Sequence, residues 1–176
     1  MKLRRANAWI SLVTTILLMA HAIFNAVWML SRGSIEKHVT KMPRILFAVM
    51  MIHAILSIIL MIKTHKGDKK IKGKEYSKLN IATIIQRISG VSLILLTVLH
   101  ILGTVGVLQP PKAVHAVLPP LFFAVCLMHT AISTSKAFIT LGIGSAKAIK
   151  VIDIITKVIC VSTLIADVIG FYLYLC

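Results

Sequence analysis

The chain has 176 residues, 58% of them hydrophobic, with mean hydropathy +0.93 and a formal charge of +15 from 20 Lys and Arg against 5 Asp and Glu. That composition excludes an ordinary soluble domain. The charge would suggest nucleic acid in a soluble protein, but here it lies between apolar blocks, so topology accounts for it and no nucleic-acid partner is expected. Five apolar blocks fall at about 8–30, 43–62, 80–107, 114–135 and 151–175, each close to the ~20 residues that cross ~30 Å of hydrocarbon. Helices satisfy their own backbone in lipid. Residues 1–176 therefore read as one all-α, integral-membrane five-helix bundle, with no room for a soluble catalytic domain.

The N-terminus begins like a signal peptide, with Lys2, Arg4 and Arg5 before an apolar run. No small-residue cleavage site follows, and the run is long enough to span, so it is kept as helix one. Trp9 and Trp28 mark its ends, as interfacial aromatics do. His21 lies between them, with Asn25 one turn later. Helix two opens at Pro43, a residue suited to a first helical position, and carries His53 near its middle. The stretch from Lys63 to Lys78 is the densest basic segment.

Helix three contains Gln86, Arg87, Ser89, Gly90 and His100. Ser89 and His100 are eleven residues apart, close to three turns at ~3.6 residues each, so they share a face. Gln86 lies nearly on it. Gly90 leaves room there for a flat macrocycle, or for the close helix contact that small residues also mediate. Pro110 and Pro111 mark a loop, and Pro119 and Pro120 are expected in the first turns of helix four. His129 comes late in that helix, with Ser133 one turn on. Helix five has no histidine. Its Asp167 is costly in lipid, so it faces protein, headgroups or water. Cys126, Cys160 and Cys176 form no CxxC or CxxCH pattern and read as packing residues or a free terminus.

Basic residues are unevenly shared. The N-terminus, the 63–78 segment, the fourth connection with Lys136, Lys147 and Lys150, and the nearby Arg87 and Lys157 carry 15; the other side carries 5. The positive-inside rule places the N-terminus in the cytoplasm and the C-terminus outside a bacterial or archaeal cytoplasmic membrane.

His21, His53, His100 and His129 are the chain's main chemical signal, one in each of four apolar segments. Unpartnered imidazole is a liability in hydrocarbon, and neutral imidazole is a good iron ligand. Counted from expected helix ends at Ala8, Lys63, Leu79 and Lys136, His53 lies about 15 Å deep, His129 about 10 Å, His21 about 20 Å and His100 about 30 Å. The four divide into an inner pair, His53 with His129, and an outer pair, His21 with His100. Each pair is expected to clamp a b haem, giving two stacked haems. His38, His65 and His115 fall in loops or at helix ends and are not expected as ligands.

Gln86-Arg87-Ile-Ser89-Gly90, ten residues before His100, resembles the QR-x-S/T-G…H segment of the cytochrome b membrane anchor of succinate dehydrogenases and fumarate reductases. The layout is similar to the single-chain, five-helix, two-haem type, with a histidine in each of the first four helices. The resemblance implies a flavoprotein (FAD) subunit and an iron–sulfur subunit on the cytoplasmic side, and electron transfer through the haems to a quinone, menaquinone in the members most alike. It maps His53 and His129 onto the proximal ligands, and His21 and His100 onto the distal ones. Gln86 and Gly90 belong to the same cofactor-binding segment. Arg87 and Ser89 map near haem propionates or the haem edge, where a buried anion needs a charged or hydrogen-bonding partner. Glu36, after helix one on the outer side, takes the place of the acid that serves quinone proton exchange. No acid stands beside His129, as one does in some members. The anchor would not itself turn over succinate or fumarate but would contribute the quinone site. The 63–78 segment would face the iron–sulfur subunit, although lipid headgroups also suit it.

Two other functions use the same residues. A dihaem anchor of a hydrogenase or nitrate reductase would differ in its partner. A small transporter would use His21, His53, His100 and Asp167 for proton coupling and would be colourless.

Overall fold

The computed structural model describes residues 2–31, 42–67, 76–107 and 111–175. These form five helices: α1 (Lys2–Leu30), α2 (Met42–Gly67), α3 (Tyr76–Thr104), α4 (Lys112–Leu141) and α5 (Ala146–Leu175). Each contains a stretch long and apolar enough to cross a membrane, so the chain is a multi-pass membrane protein. The five expected blocks each become one helix, and all five helices run beyond their blocks at one or both ends, although α3 stops at Thr104, short of its block's end. Apolar pattern marks only the hydrocarbon-facing part, whereas the helical hydrogen-bond ladder continues through flanking polar residues.

The ends obey local chemistry. α4 stops at Gly142, whose φ of 72° is left-handed. The Gly142 N–H donates to the Ile139 carbonyl, and the Ile143 N–H to that of Phe138, both at 3.1 Å, which satisfies carbonyls left over at the helix end. Lys136, expected at the end of helix four, thus lies more than a turn inside α4. α5 begins after Ser145, whose hydroxyl accepts from the Ala148 N–H at 3.3 Å, an N-cap arrangement.

Pro119 and Pro120 also depart from expectation. Because α4 starts at Lys112, they lie well inside the helix, not in its first turns. Pro120 has no N–H to give the Ala116 carbonyl one turn earlier. The Tyr172 hydroxyl on α5 donates to that carbonyl instead, at 3.3 Å, as membrane helices require of freed backbone groups. Tyr172→Phe is expected to cost about 0.5–1.5 kcal/mol, measured as a lower unfolding midpoint in detergent.

Packing is inverted relative to a soluble protein. Ile16, Ile88, Leu95 and Val158 are exposed, while Ser11, Ser89, Thr130, Ser133, Thr163 and Asp167 are buried among small residues such as Ala8, Ala22, Ala26 and Ala137. Small and hydroxylated side chains let helices approach closely in lipid. α1 packs on α2, α4 and α5, and α4 packs also on α3 and α5. Between α2 and α3 no comparable packing forms among the described residues. Asn7 near the start of α1 donates to Ser57 late in α2 at 3.3 Å, and Ala8 clusters with Ala137 and Leu141. The start of α1 therefore lies at the same end of the bundle as the ends of α2 and α4.

Candidate functional site

The observed helix ends sharpen the depths of the four histidines. His53 and His129 lie fourteen and twelve residues from the ends of α2 and α4, about 21 and 18 Å at 1.5 Å per residue. His21 and His100 lie nineteen and twenty-four residues from the starts of α1 and α3, about 29 and 36 Å. Two levels result, with one pair at each.

At the inner level, Ser89 on α3 is buried and its Oγ lies 2.8 Å from His129 Nδ1 on α4. The Ser89 hydroxyl also donates to the Gln86 carbonyl at 3.1 Å. Gly90 faces the same ring, and a Cβ built there would lie 3.3 Å from His129 Cε1. The glycine is therefore a seat for the imidazole. His53 is close enough to His129 to interact electrostatically. Its Nδ1 is buried and makes no hydrogen bond.

Below this pair runs a polar strap between α3 and α4. Gln86 Nε2 donates to Ser133 Oγ at 3.0 Å, and Lys136 Nζ donates to Gln86 Oε1 at 2.8 Å and to Thr83 Oγ1 at 3.4 Å. Arg87 is exposed and close enough to Lys136 to interact with it. Sequence reasoning missed Lys136 because it placed the residue at the end of helix four, among the charges around the fourth connection. The seven-residue spacing from His129 was the available signal, since it returns to nearly the same helix face.

At the outer level, one cavity of about 30 Å³ brings the second pair together. His21 and Asn25 from α1, His100 from α3, Phe122 and Cys126 from α4 and Asp167 from α5 line it. Asn25 Nδ2 and His21 Nε2 are 3.1 Å apart. The His100 ring stacks on Phe122 with centroids 5.0 Å apart.

Paired imidazoles are the donor type that a bis-imidazole haem site uses, but the cavity of about 30 Å³ between His21 and His100 holds a water molecule or two and not a porphyrin, so a haem there would require the helices to part. Ser89 engages His129 through Nδ1, which leaves Nε2 for iron and fixes the ring, the role a polar neighbour takes beside a ligating imidazole. The His53 Nδ1, buried without a hydrogen bond, belongs to the same level. At the outer level Asn25 holds His21 Nε2, so iron ligation through that atom requires the amide to swing away. Among the described residues no three His, Cys, Asp or Glu side chains converge on a metal site.

Of the other expected residues, Cys126 lines the outer cavity. Glu36 and His38 lie outside the described residues. His65 and His115 lie in the last turn of α2 and the first turn of α4. Cys126 and Cys160 are buried free thiols, and Cys176 lies outside the described residues.

Comparison with known proteins adds no relative. No protein-family model matches the chain, no curated protein matches it, and no solved structure matches it.

Proposed function

We propose that the chain is the membrane cytochrome b subunit of a succinate dehydrogenase or fumarate reductase. It would pass electrons between a peripheral flavoprotein and iron–sulfur pair at its cytoplasmic face and a membrane quinone, with menaquinone the quinone expected. The observation that carries the reading is the grouping of four histidines from four helices into two pairs at two depths. The Gln86–Gly90 segment beside His129 supports it. So do the basic N-terminal end of the bundle, suited to the cytoplasmic side, and the basic 63–78 segment.

The bound haems would supply reversible one-electron chemistry at iron. His53 and His129 hold the inner haem, and His21 and His100 the outer one. Ser89 orients His129, and Gly90 gives its ring space. Lys136 and Arg87 place positive charge at the inner level, where propionates need it. Glu36 exchanges the proton at the outer quinone site. A reduced-minus-oxidised spectrum with haem quantitation tests the assignment: two b haems per chain are expected, and a colourless protein overturns it. Glu36→Gln is expected to slow quinone turnover several-fold with haem content unchanged. Unaltered turnover with menaquinone analogues removes that role.

One observation favours a second reading. Asp167 shares a cavity with His21 and His100, an arrangement that a proton-coupled transporter would also use. Such a protein would bind no haem, so the same spectrum separates the two.

A further inference from the structure

The five helices do not hold one another equally. α1, α4 and α5 each pack on the other two and form a closed three-helix core. α3 lies outside that core and packs closely on α4 alone. Among the described residues it forms no comparable contact with α1, α2 or α5. Apolar contact gives little drive for helices to stay together in lipid, because the tails are as apolar as the side chains they replace. What fixes α3 is therefore where its polar side chains find partners on α4.

Those partners gather at the inner end. Gln86 Nε2 donates to Ser133 Oγ, Lys136 Nζ donates to Gln86 Oε1 and Thr83 Oγ1, and Ser89 Oγ meets His129 Nδ1. The bond from Lys136 to Gln86, at 2.8 Å, is charge-assisted, the stronger kind. Gly90 completes the attachment by letting the α3 backbone close against the His129 ring. The outer half differs. Thr97 is 6% exposed, yet its Oγ1 makes no hydrogen bond. His100 meets α4 by stacking on Phe122 with ring centroids 5.0 Å apart, a contact that tolerates sliding. The cavity of about 30 Å³ lies beside it, and a void takes packing contacts from the side chains that line it.

We propose that α3 is an arm pivoted on α4 at Thr83–Gly90, whose outer half tilts away from α1 and α4 and opens the cavity between His21 and His100 sideways. Gln86, Ser89 and Gly90 lie at the axis, and Thr97 and His100 ride on the moving part. Elements with few buried contacts open before the rest of a fold. His100 lies about 15 Å beyond Gly90, so a tilt of about 20° carries it roughly 5 Å. The pivot does not rest on the haem reading, because the uneven attachment of α3 is present whatever the bundle binds. It names the helix that moves if anything larger than water is to lie between His21 and His100.

Spin-label distances in the purified full chain test the proposal. In a Cys126→Ser, Cys160→Ser, Cys176→Ser background, one pair of labels goes on the outer halves of α3 and α5 (Val98→Cys with Ile165→Cys). A second pair goes on the inner halves (Ile84→Cys with Ile154→Cys). All four positions are exposed. The expected result is a single narrow distance for the inner pair and a distribution several ångströms broader for the outer pair. Equally narrow distributions mean a fixed helix and overturn the pivot. Equally broad ones mean that α3 is loose throughout and also overturn it. If that background does not accumulate, the native thiols report instead. Cys126 lines the cavity and Cys160 does not, although both are buried. N-ethylmaleimide should label Cys126 several-fold faster than Cys160, and equal rates or protection of both overturn the proposal. The haem spectrum of the same sample is read separately, so a colourless protein with a mobile outer pair sinks the electron-transfer reading alone.

Discussion

Replacing His129 with Ala is expected to remove the inner haem and leave the outer one, halving the b-type absorbance. His53→Ala should do the same, because on the proposed assignment each iron would need both imidazoles of its pair and would lose its site when either goes. His21→Ala and His100→Ala should remove the outer haem instead. The pairs are expected to behave as units, so a double variant within one level costs no more haem than either single change. Ser89→Ala is the informative partner. It leaves His129 Nε2, the nitrogen that would bind iron, and removes the 2.8 Å contact to Nδ1, a hydrogen bond of about 0.5–1.5 kcal/mol. Haem should stay bound while the electron paramagnetic resonance signal of the inner iron moves. His38→Ala should keep both haems. Retention of both haems with unchanged ligation in all four histidine variants would end the ligand assignment.

Gly170→Leu is expected to produce the largest loss of stability. Gly170 sits where α5 meets α1. A Cβ there would lie 3.1 Å from Met29 Cβ, 3.4 Å from Leu30 Cγ and 3.5 Å from the Ala26 carbonyl. The closest of these atoms is fixed to the α1 backbone and cannot rotate away. The helices must part, and overpacking of this kind costs roughly 1–3 kcal/mol or more. Gly170→Ala needs a shift of only a few tenths of an ångström and should cost less. Denaturing-detergent titration measures both, and an unchanged midpoint for the leucine variant would show that α1 and α5 are not in contact here.

Much of the bundle was legible in the sequence, and the reason is physical. Five apolar blocks near the length of a bilayer leave little freedom in helix number, and helical rise turns residue number into depth. That is why His53 and His129 separate from His21 and His100 before any coordinate is known. The His21–Asn25 contact was also within reach, since four residues bring two side chains onto one face. Contacts between helices were not. Nothing in the order of residues says that Ser89 meets His129 or that Lys136 reaches Gln86, because sequence does not fix the rotation of one helix against another. Helix ends were misjudged for a related reason. Gly142 and Ser145 decide them through backbone geometry and a single hydroxyl, while hydropathy fades earlier. Asp167 could be marked as costly in lipid, but its turn inward to a polar cavity depends on α1 and α4 being packed beside α5.

The place of α1 has a consequence for how the protein is made. This helix is translated before the other four, yet two of the three helices it packs on, α4 and α5, come after α2 and α3. During that interval it must wait in the bilayer with polar side chains that have no final partners. The contact between His21 and Asn25 closes within the helix itself, so these two groups can shelter one another from lipid until the rest of the chain arrives. Separating them, as Asn25→Leu would, should hinder membrane insertion of the nascent chain before it affects the finished bundle.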